Sequence, residues 1–328
     1  MRSIGSRSWS DRLSGLAELP VPPHVFRLER GALAYAGFNR GLAGLELRET
    51  RSVELPPGTF GDGPLGAPPA DAVAFAAAVD RLASALAHRP RHASLVLPDA
   101  WARALAVELG DLPSRGELRR DVLRFRLKKL VPFRVDELRI EAAPIPKLER
   151  QEEVERALVL FASESLCAAL EHAFAAAGIA LGQIVNASLA RLEALAWRGR
   201  LPGLAALAAV DTDGFTIIFA RDGEPVVWRQ KSFTEGLDDA DRRPMLESEL
   251  RLTRTFLTER VGGDPLQAVV LAAPADVRGF WLEVLEEGLE RPVTSLEPAL
   301  LPLADGAAAG RLGDDPAPIV GAACREVA

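Results

Sequence analysis

Short apolar runs of strand length alternate with longer segments of helical period along nearly all of this 328-residue chain. That order constrains the fold more than any single motif. Strands that take turns with helices build mixed sheets with helices laid against them, so the class is α/β. Two strands at 25–28 and 33–38 flank Glu29-Arg30-Gly31 as a hairpin, and a third is expected at 45–55. A Gly/Pro-rich loop at 56–69 precedes an alanine-rich helix at 71–87, with Asp71 placed to cap it, and a buried strand at 94–97. Further on come a strand at 135–140, a strand at 157–161, and helices at 164–177 and 183–198. After Pro202-Gly203, runs at 207–210, 215–220 and 225–230 read as a meander whose second turn is Arg221-Asp222-Gly223-Glu224. A helix at 244–260, a strand at 268–271 and a helix at 278–289 complete that half.

Composition narrows the function classes. At 48% hydrophobic residues the chain can bury a full core, and its length fits about two domains. Two cysteines, Cys167 and Cys324, lie far apart without a CxxC pair, which points away from a disulfide framework or a zinc site and toward a reducing compartment. The first residues carry Arg2 and Arg7 but no apolar signal-peptide core, and no uncharged apolar run reaches about 18 residues, so a soluble protein is expected. A net charge of −7 argues against general nucleic-acid binding.

One segment opposes that sign. Between Arg115 and Arg134 stand eight Lys/Arg against two acids, on a helix that Pro132 stops. Leu118, Val122 and Phe125 are expected to form its core face, with Leu123, Leu127 and Leu130 adjoining. Its cations, Arg119, Arg120, Arg124, Arg126 and Lys128 among them, read in three ways. They are a solvated face, a docking face for a protein or for anionic lipid headgroups, or a DNA contact, the last without any accompanying DNA-binding motif. The Val131-Pro132-Phe133 corner is expected to swing Phe133 into an apolar seam.

Several motifs dissolve on inspection. Gly61-Asp62-Gly63-Pro64-Leu65-Gly66 matches GxGxxG, but it follows prolines rather than a strand and contains Pro64, so it reads as a loop. His88 and His92 have metal-ligand spacing, with the helix-breaking Pro90 between them. His24 and His172 have no catalytic partners in sequence, and no nucleophile signature appears. Asp238-Asp239-Ala240-Asp241 reads as a solvated turn before the helix at Pro244.

The basic helix with its Val-Pro-Phe corner, Leu97-Pro98-Asp99 ending a strand, the stretch from Gly178-Ile179 to Ala190, Arg229 in the meander, and Ile319-Val320-Gly321-Ala322-Ala323-Cys324-Arg325 occur in one order. In that order they resemble the PilM family, actin-like cytoplasmic proteins of type IV pilus assembly, across roughly 25–325. The resemblance implies an actin-like (ribonuclease H-like) two-domain α/β fold with a small α/β insert in the first domain. It divides the chain into a polar arm (1–23), a first domain (24–110), the insert (111–180), a return to the first domain (181–202), a second domain (203–310) and a closing segment on the first domain (311–328).

Relatives that use ATP hold its phosphates between two glycine turns led by aspartates, and a Gly-Gly corner accepts the adenosine. Those positions fall here on Glu29 and Gly31, on Asp211 and Gly214 with Asp213 where glycine is expected, and on Ala273-Pro274; the family lysine falls on Ala36. Bare backbone N–H groups are what a phosphate needs, so the resemblance implies a degenerate nucleotide site, no cofactor and no catalysis. Its alternative is an active ATPase with ATP and Mg, and a sugar-kinase relative comes third.

The implied role is a scaffold at the inner membrane of a type IV pilus or type II secretion system. It would be cytoplasmic and peripheral through its partners, able to self-associate, and without a nucleic-acid partner. Relatives bind the N-terminal cytoplasmic peptide of the membrane protein PilN, and by position the groove falls on Leu97, Arg103, Arg119, Arg120, Arg124, Arg126, Lys128 and Phe133.

Overall fold

A computed structural model describes residues 23–61, 65–109, 116–148, 154–197, 201–233, 239–262 and 265–324, with the side chains of 116–120 and 239–241 outside the description. The expected arm, the centre of the GxGxxG loop, Asp238 and Arg325 therefore lie outside the described residues.

Thirteen strands among the described residues form three sheets. In the first, β1 (His24–Leu28), β2 (Ala32–Arg40) and β3 (Leu45–Glu54) make an antiparallel meander. Next, β4 (His92–Leu97) pairs parallel to β1, and β8 (Ala180–Asn186) parallel to β4, for an order β3-β2-β1-β4-β8. The second sheet repeats this plan. Its meander is β9 (Leu204–Asp211), β10 (Gly214–Arg221) and β11 (Glu224–Ser232), and β12 (Ala268–Ala272) with β13 (Thr294–Ser295) adds the parallel side. Two copies of one five-stranded topology face each other, and the fold is the actin-like two-domain α/β fold.

Between the sheets lie α4 (Ala187–Ala196) and the C-terminal α7 (Ala317–Cys324), buried on almost every side. Outside the first sheet, α1 (Ala72–Ser84) and α3 (Glu164–Ala176) cover a core around Phe26, Phe75, Trp101 and Phe174. On the second sheet's outer face sit α5 (Asp239–Phe256) and α6 (Arg278–Leu289), with Trp281 of α6 packed in a core with Phe215 and Phe219 of the sheet. The third sheet, β5 (Ala102–Glu108), β7 (Arg156–Ser163) and β6 (Leu138–Ile145) in that order, carries α2 (Gly116–Leu127).

Local chemistry explains most boundaries. The Asp71 carboxylate caps α1 by accepting from Ala74 N at 2.8 Å, and Asn186 caps α4 by accepting from Leu189 N at 2.9 Å. Asp222 (φ 52°) and Gly223 (φ 85°) both take left-handed geometry between β10 and β11, as a two-residue hairpin turn requires. Gly66, last residue of the GxGxxG match, has φ 65°, and a Cβ there would stand 2.8 Å from Trp101 Cγ. That glycine serves packing.

Five expectations need correction. The segment expected as a helix at 183–198 is the strand β8 followed by α4, because the parallel partner β4 claims 180–186. The strand β5 was not expected at all. At 135–140 the chain makes a 3-10 turn (Val135–Glu137) before β6 begins. Asp239 to Asp241 belong to the first turn of α5, not to a turn ahead of it, and Pro244 sits inside the helix. The core face of α2 is formed by Leu123 and Leu127, whereas Phe125 is 61% exposed and Val122 only half-buried. At about 100° per residue, Phe125 points roughly 200° away from both leucines, and Leu130 lies beyond the helix end, 57% exposed.

Candidate functional site

The turns β1–β2 and β9–β10 approach each other across a cleft of about 370 Å³. Glu29, Gly31, Asp211 and Gly214 all line it, together with Leu97, Pro98, Asp99, Asp213 and Pro274. Equivalent hairpins in the two repeats thus bring the four sequence-derived residues to one place.

The cleft's charges are satisfied within the chain. Arg30 Nε reaches Asp213 Oδ2 at 3.2 Å, which ties the two hairpins directly. Arg27 pairs with Glu29 at 2.8 Å and with Asp315, just ahead of α7, at 3.2 Å. Lys231 is held by Glu249 at 2.8 Å. Behind the cleft the Arg191 guanidinium of α4, 2% exposed, donates to Asp211 Oδ1 at 3.1 Å and to Asp315 Oδ2 at 2.7 Å. Burial works against the arginine's charge, but Asp315, Asp211 and Asp99 outweigh it and hold it protonated. Burial would likewise raise the Asp315 carboxyl, yet Arg191 and Arg27 keep it below the ordinary carboxylate range.

Asp99 was legible only as part of the Leu-Pro-Asp strand end. In the fold it is a buried junction between repeats: Oδ1 accepts from Ser188 N at 2.8 Å, and Oδ2 accepts from the Ser188 hydroxyl and from Thr216 Oγ1, the latter at 2.8 Å. Gln230 Nε2 donates to its carbonyl at 2.6 Å. Burial, and then the nearby Asp211 charge, push the Asp99 carboxyl up, against the opposing pull of Arg191 and Ser188. An acid whose folded pKa is raised binds its proton more tightly when folded, so its contribution to stability declines as pH rises through and above the unfolded value. Asp99→Asn, which keeps an acceptor for Ser188 N, is expected to cost little at pH 5 and to close the gap on wild type further by pH 8. Asp99→Ala should cost about 3 kcal/mol by stranding its buried donors. Urea denaturation at both pH values reads the difference, and equal losses for both variants would refute it.

A magnesium triphosphate does not fit these residues. Glu29, Asp211 and Asp213 are each paired with an arginine, Asp213 occupies the second turn, and Pro274 offers no N–H. Gly214 has a structural reason of its own, since a Cβ there would sit 2.2 Å from Lys231 O across the β10–β11 ladder. At Gly31 a Cβ would meet nothing within 4 Å, so the chain's own packing sets no demand for glycine.

The residues assigned to a partner groove are divided. Arg103 and Phe133 meet, the guanidinium lying 5.5 Å from the ring centroid, with Phe133 half-buried beside Phe161 at 6.3 Å rather than wholly inside the seam. Arg103 also donates to Ser232 Oγ at 3.0 Å, linking the third sheet to the second repeat. Leu97 is fully buried in the first core and presents no side-chain surface to a peptide. Arg124, Arg126 and Lys128 are exposed on α2 and just beyond it, and the side chains of Arg119 and Arg120 lie outside the described residues.

No protein-family model matches the sequence, and no curated protein does. Among solved structures, the chain is similar to one from a PilM-PilN type IV pilus biogenesis complex, with a TM-score of 0.70 at 17% identity, covering 92% of this chain and 98% of that one. It also matches a Bacteroides thetaiotaomicron protein with an actin-like ATPase fold (TM-score 0.49, 12% identity, 85% of this chain and 93% of that one). The cytoplasmic domain of EpsL, an inner-membrane component of the Vibrio cholerae type II secretion system, matches with a TM-score of 0.45 at 12% identity, over 76% and 82% of the two chains. The architecture shared with the first of these, end to end, is the actin-like fold.

Proposed function

We propose that this protein is a non-catalytic scaffold of a type IV pilus or type II secretion inner-membrane assembly, working on the cytoplasmic side. Its ligand is the cytoplasmic peptide of a PilN-like membrane protein. The observation that carries the non-catalytic half is the arginine network: Arg27 and Arg191 pair with Glu29 and Asp211, the acids that lead the two turns, and Arg30 pairs with Asp213 in the second turn. The partner half is supported by the end-to-end likeness to a chain of the PilM-PilN complex. Arg103 and the half-buried Phe133 are the peptide contact in this reading, because a ring already packed on one side offers the other to a ligand at little ordering cost.

Calorimetry supplies the test. Mg-ATP should show no measurable binding, whereas the N-terminal peptide of a PilN-like protein from the same cell should bind, and Phe133→Ala should weaken it by about 2 kcal/mol. A micromolar ATP affinity would promote the alternative, an actin-like ATPase that uses hydrolysis as an assembly switch. Peptide affinity unchanged in Phe133→Ala would remove that residue from the contact.

A further inference from the structure

The end of α2 carries a surface outside the cleft and outside the peptide contact proposed at Arg103 and Phe133, although the family resemblance places its cations in the peptide groove. Arg124, Arg126 and Lys128 are exposed and form no ion pair among the described residues, while Lys129 lies 4.8 Å over the Phe125 ring. Phe125, flanked by Arg124 and Arg126, and Leu130, next after Lys129, are both more than half exposed. The acids nearest along the chain do not neutralise the group: Asp121 lies a turn earlier, Asp136 is exposed on the following 3-10 turn, and Glu137 is taken by Arg134 at 2.7 Å.

We propose that this tip is a direct contact for an anionic lipid bilayer, made by the protein itself rather than through a membrane partner. Charge complementarity argues for that occupant. A chain of net charge −7 is repelled by an anionic surface unless it presents a local cationic patch, and here four cations gather within six residues. The apolar pair decides between a bilayer and a protein partner. Phe125 and Leu130 are 61% and 57% exposed, and an exposed ring and leucine beside long cationic stems match the depth profile of a headgroup layer over acyl chains. Burying them there removes the exposed apolar area that folding leaves in water.

The full chain should be sedimented with vesicles of phosphatidylcholine alone and of phosphatidylcholine with about one third phosphatidylglycerol, at low and at roughly 0.5 M salt. Binding is expected to the anionic vesicles only and to fall with salt. The triple variant Arg124→Glu, Arg126→Glu, Lys128→Glu should lose about tenfold or more in affinity. Phe125→Ser with Leu130→Ser should bind more weakly with an unchanged salt slope. All five positions are exposed, and an unaltered melting curve checks that the fold is intact. No sedimentation with anionic vesicles, equal sedimentation with neutral ones, or wild-type binding by the triple variant would each overturn the proposal. If the triple variant sediments normally but loses the PilN-like peptide, the tip is a protein contact and the proposal also falls. The vesicles contain no protein, so a failure here leaves the scaffold reading standing.

Discussion

Arg191→Met is expected to lower the stability of this protein by about 3–5 kcal/mol at neutral pH, although methionine fills much of the same volume and is at home in an apolar interior. The guanidinium is 2% exposed and holds two carboxylates, Asp211 at 3.1 Å and Asp315 at 2.7 Å, with Asp99 close enough to feel its charge. Removing it leaves like charges facing one another behind the cleft with only Arg27 still on Asp315. The loss should depend on pH in a definite direction. Asp315 is held below its ordinary pKa, so its contribution to stability is fully present above the unfolded value near 3.8 and disappears as pH falls through the lower folded value. The gap between wild type and variant should therefore narrow below about pH 4. Denaturant melts from pH 3 to pH 8 read it, and a gap independent of pH would mean that Arg191 acts through packing alone. Adding Asp315→Asn to the variant should restore part of the loss at pH 7, since it removes one of the stranded charges.

Gly321→Ala should be as damaging for a steric reason. At Gly321, on α7, a Cβ would stand 1.7 Å from Ala190 O and 3.1 Å from Ala194 N, both backbone atoms of α4. Neither can swing aside as a side chain could. The helices must separate, and with them the core shared by the two sheets, at an expected cost of about 3 kcal/mol. Because α4 and α7 lie between the repeats, the variant should also become more susceptible to proteolysis at the junction of the two domains. A melting curve equal to that of wild type would show that the helices can slide apart freely. Glycine matters here for close approach, not for conformation, since Gly321 sits inside a helix.

Much of this architecture could be read residue by residue. The hairpin turn at Glu29–Gly31, the left-handed Asp222-Gly223 turn and the Asp71 cap all follow from local chemistry, because two to four adjacent residues settle each one. The family resemblance, carried by the order of such pieces, led to the fold that the strand topology displays. Two of the misread elements are stabilised by distant partners. For β5, with its alanines and Arg103, local propensity argues little, and pairing with β7 makes the strand. Likewise β8 has a helix-compatible sequence that the edge of β4 turns into strand.

The sequence by itself determined the α/β class, the hairpin turn at Glu29–Gly31 and the cationic helix, since each rests on residue identity or on spacing within a few turns. Only the tertiary structure decided what those residues do. It placed Arg191 between Asp211 and Asp315, which are 104 residues apart in the chain, and it joined Arg30 to Asp213 across facing hairpins. It also turned Phe125 outward, because the third sheet selected Leu123 and Leu127 as the face of α2 to bury. Charge pairing and burial depend on distances that sequence separation does not encode, and those distances exist only once the two repeats have closed on α4 and α7.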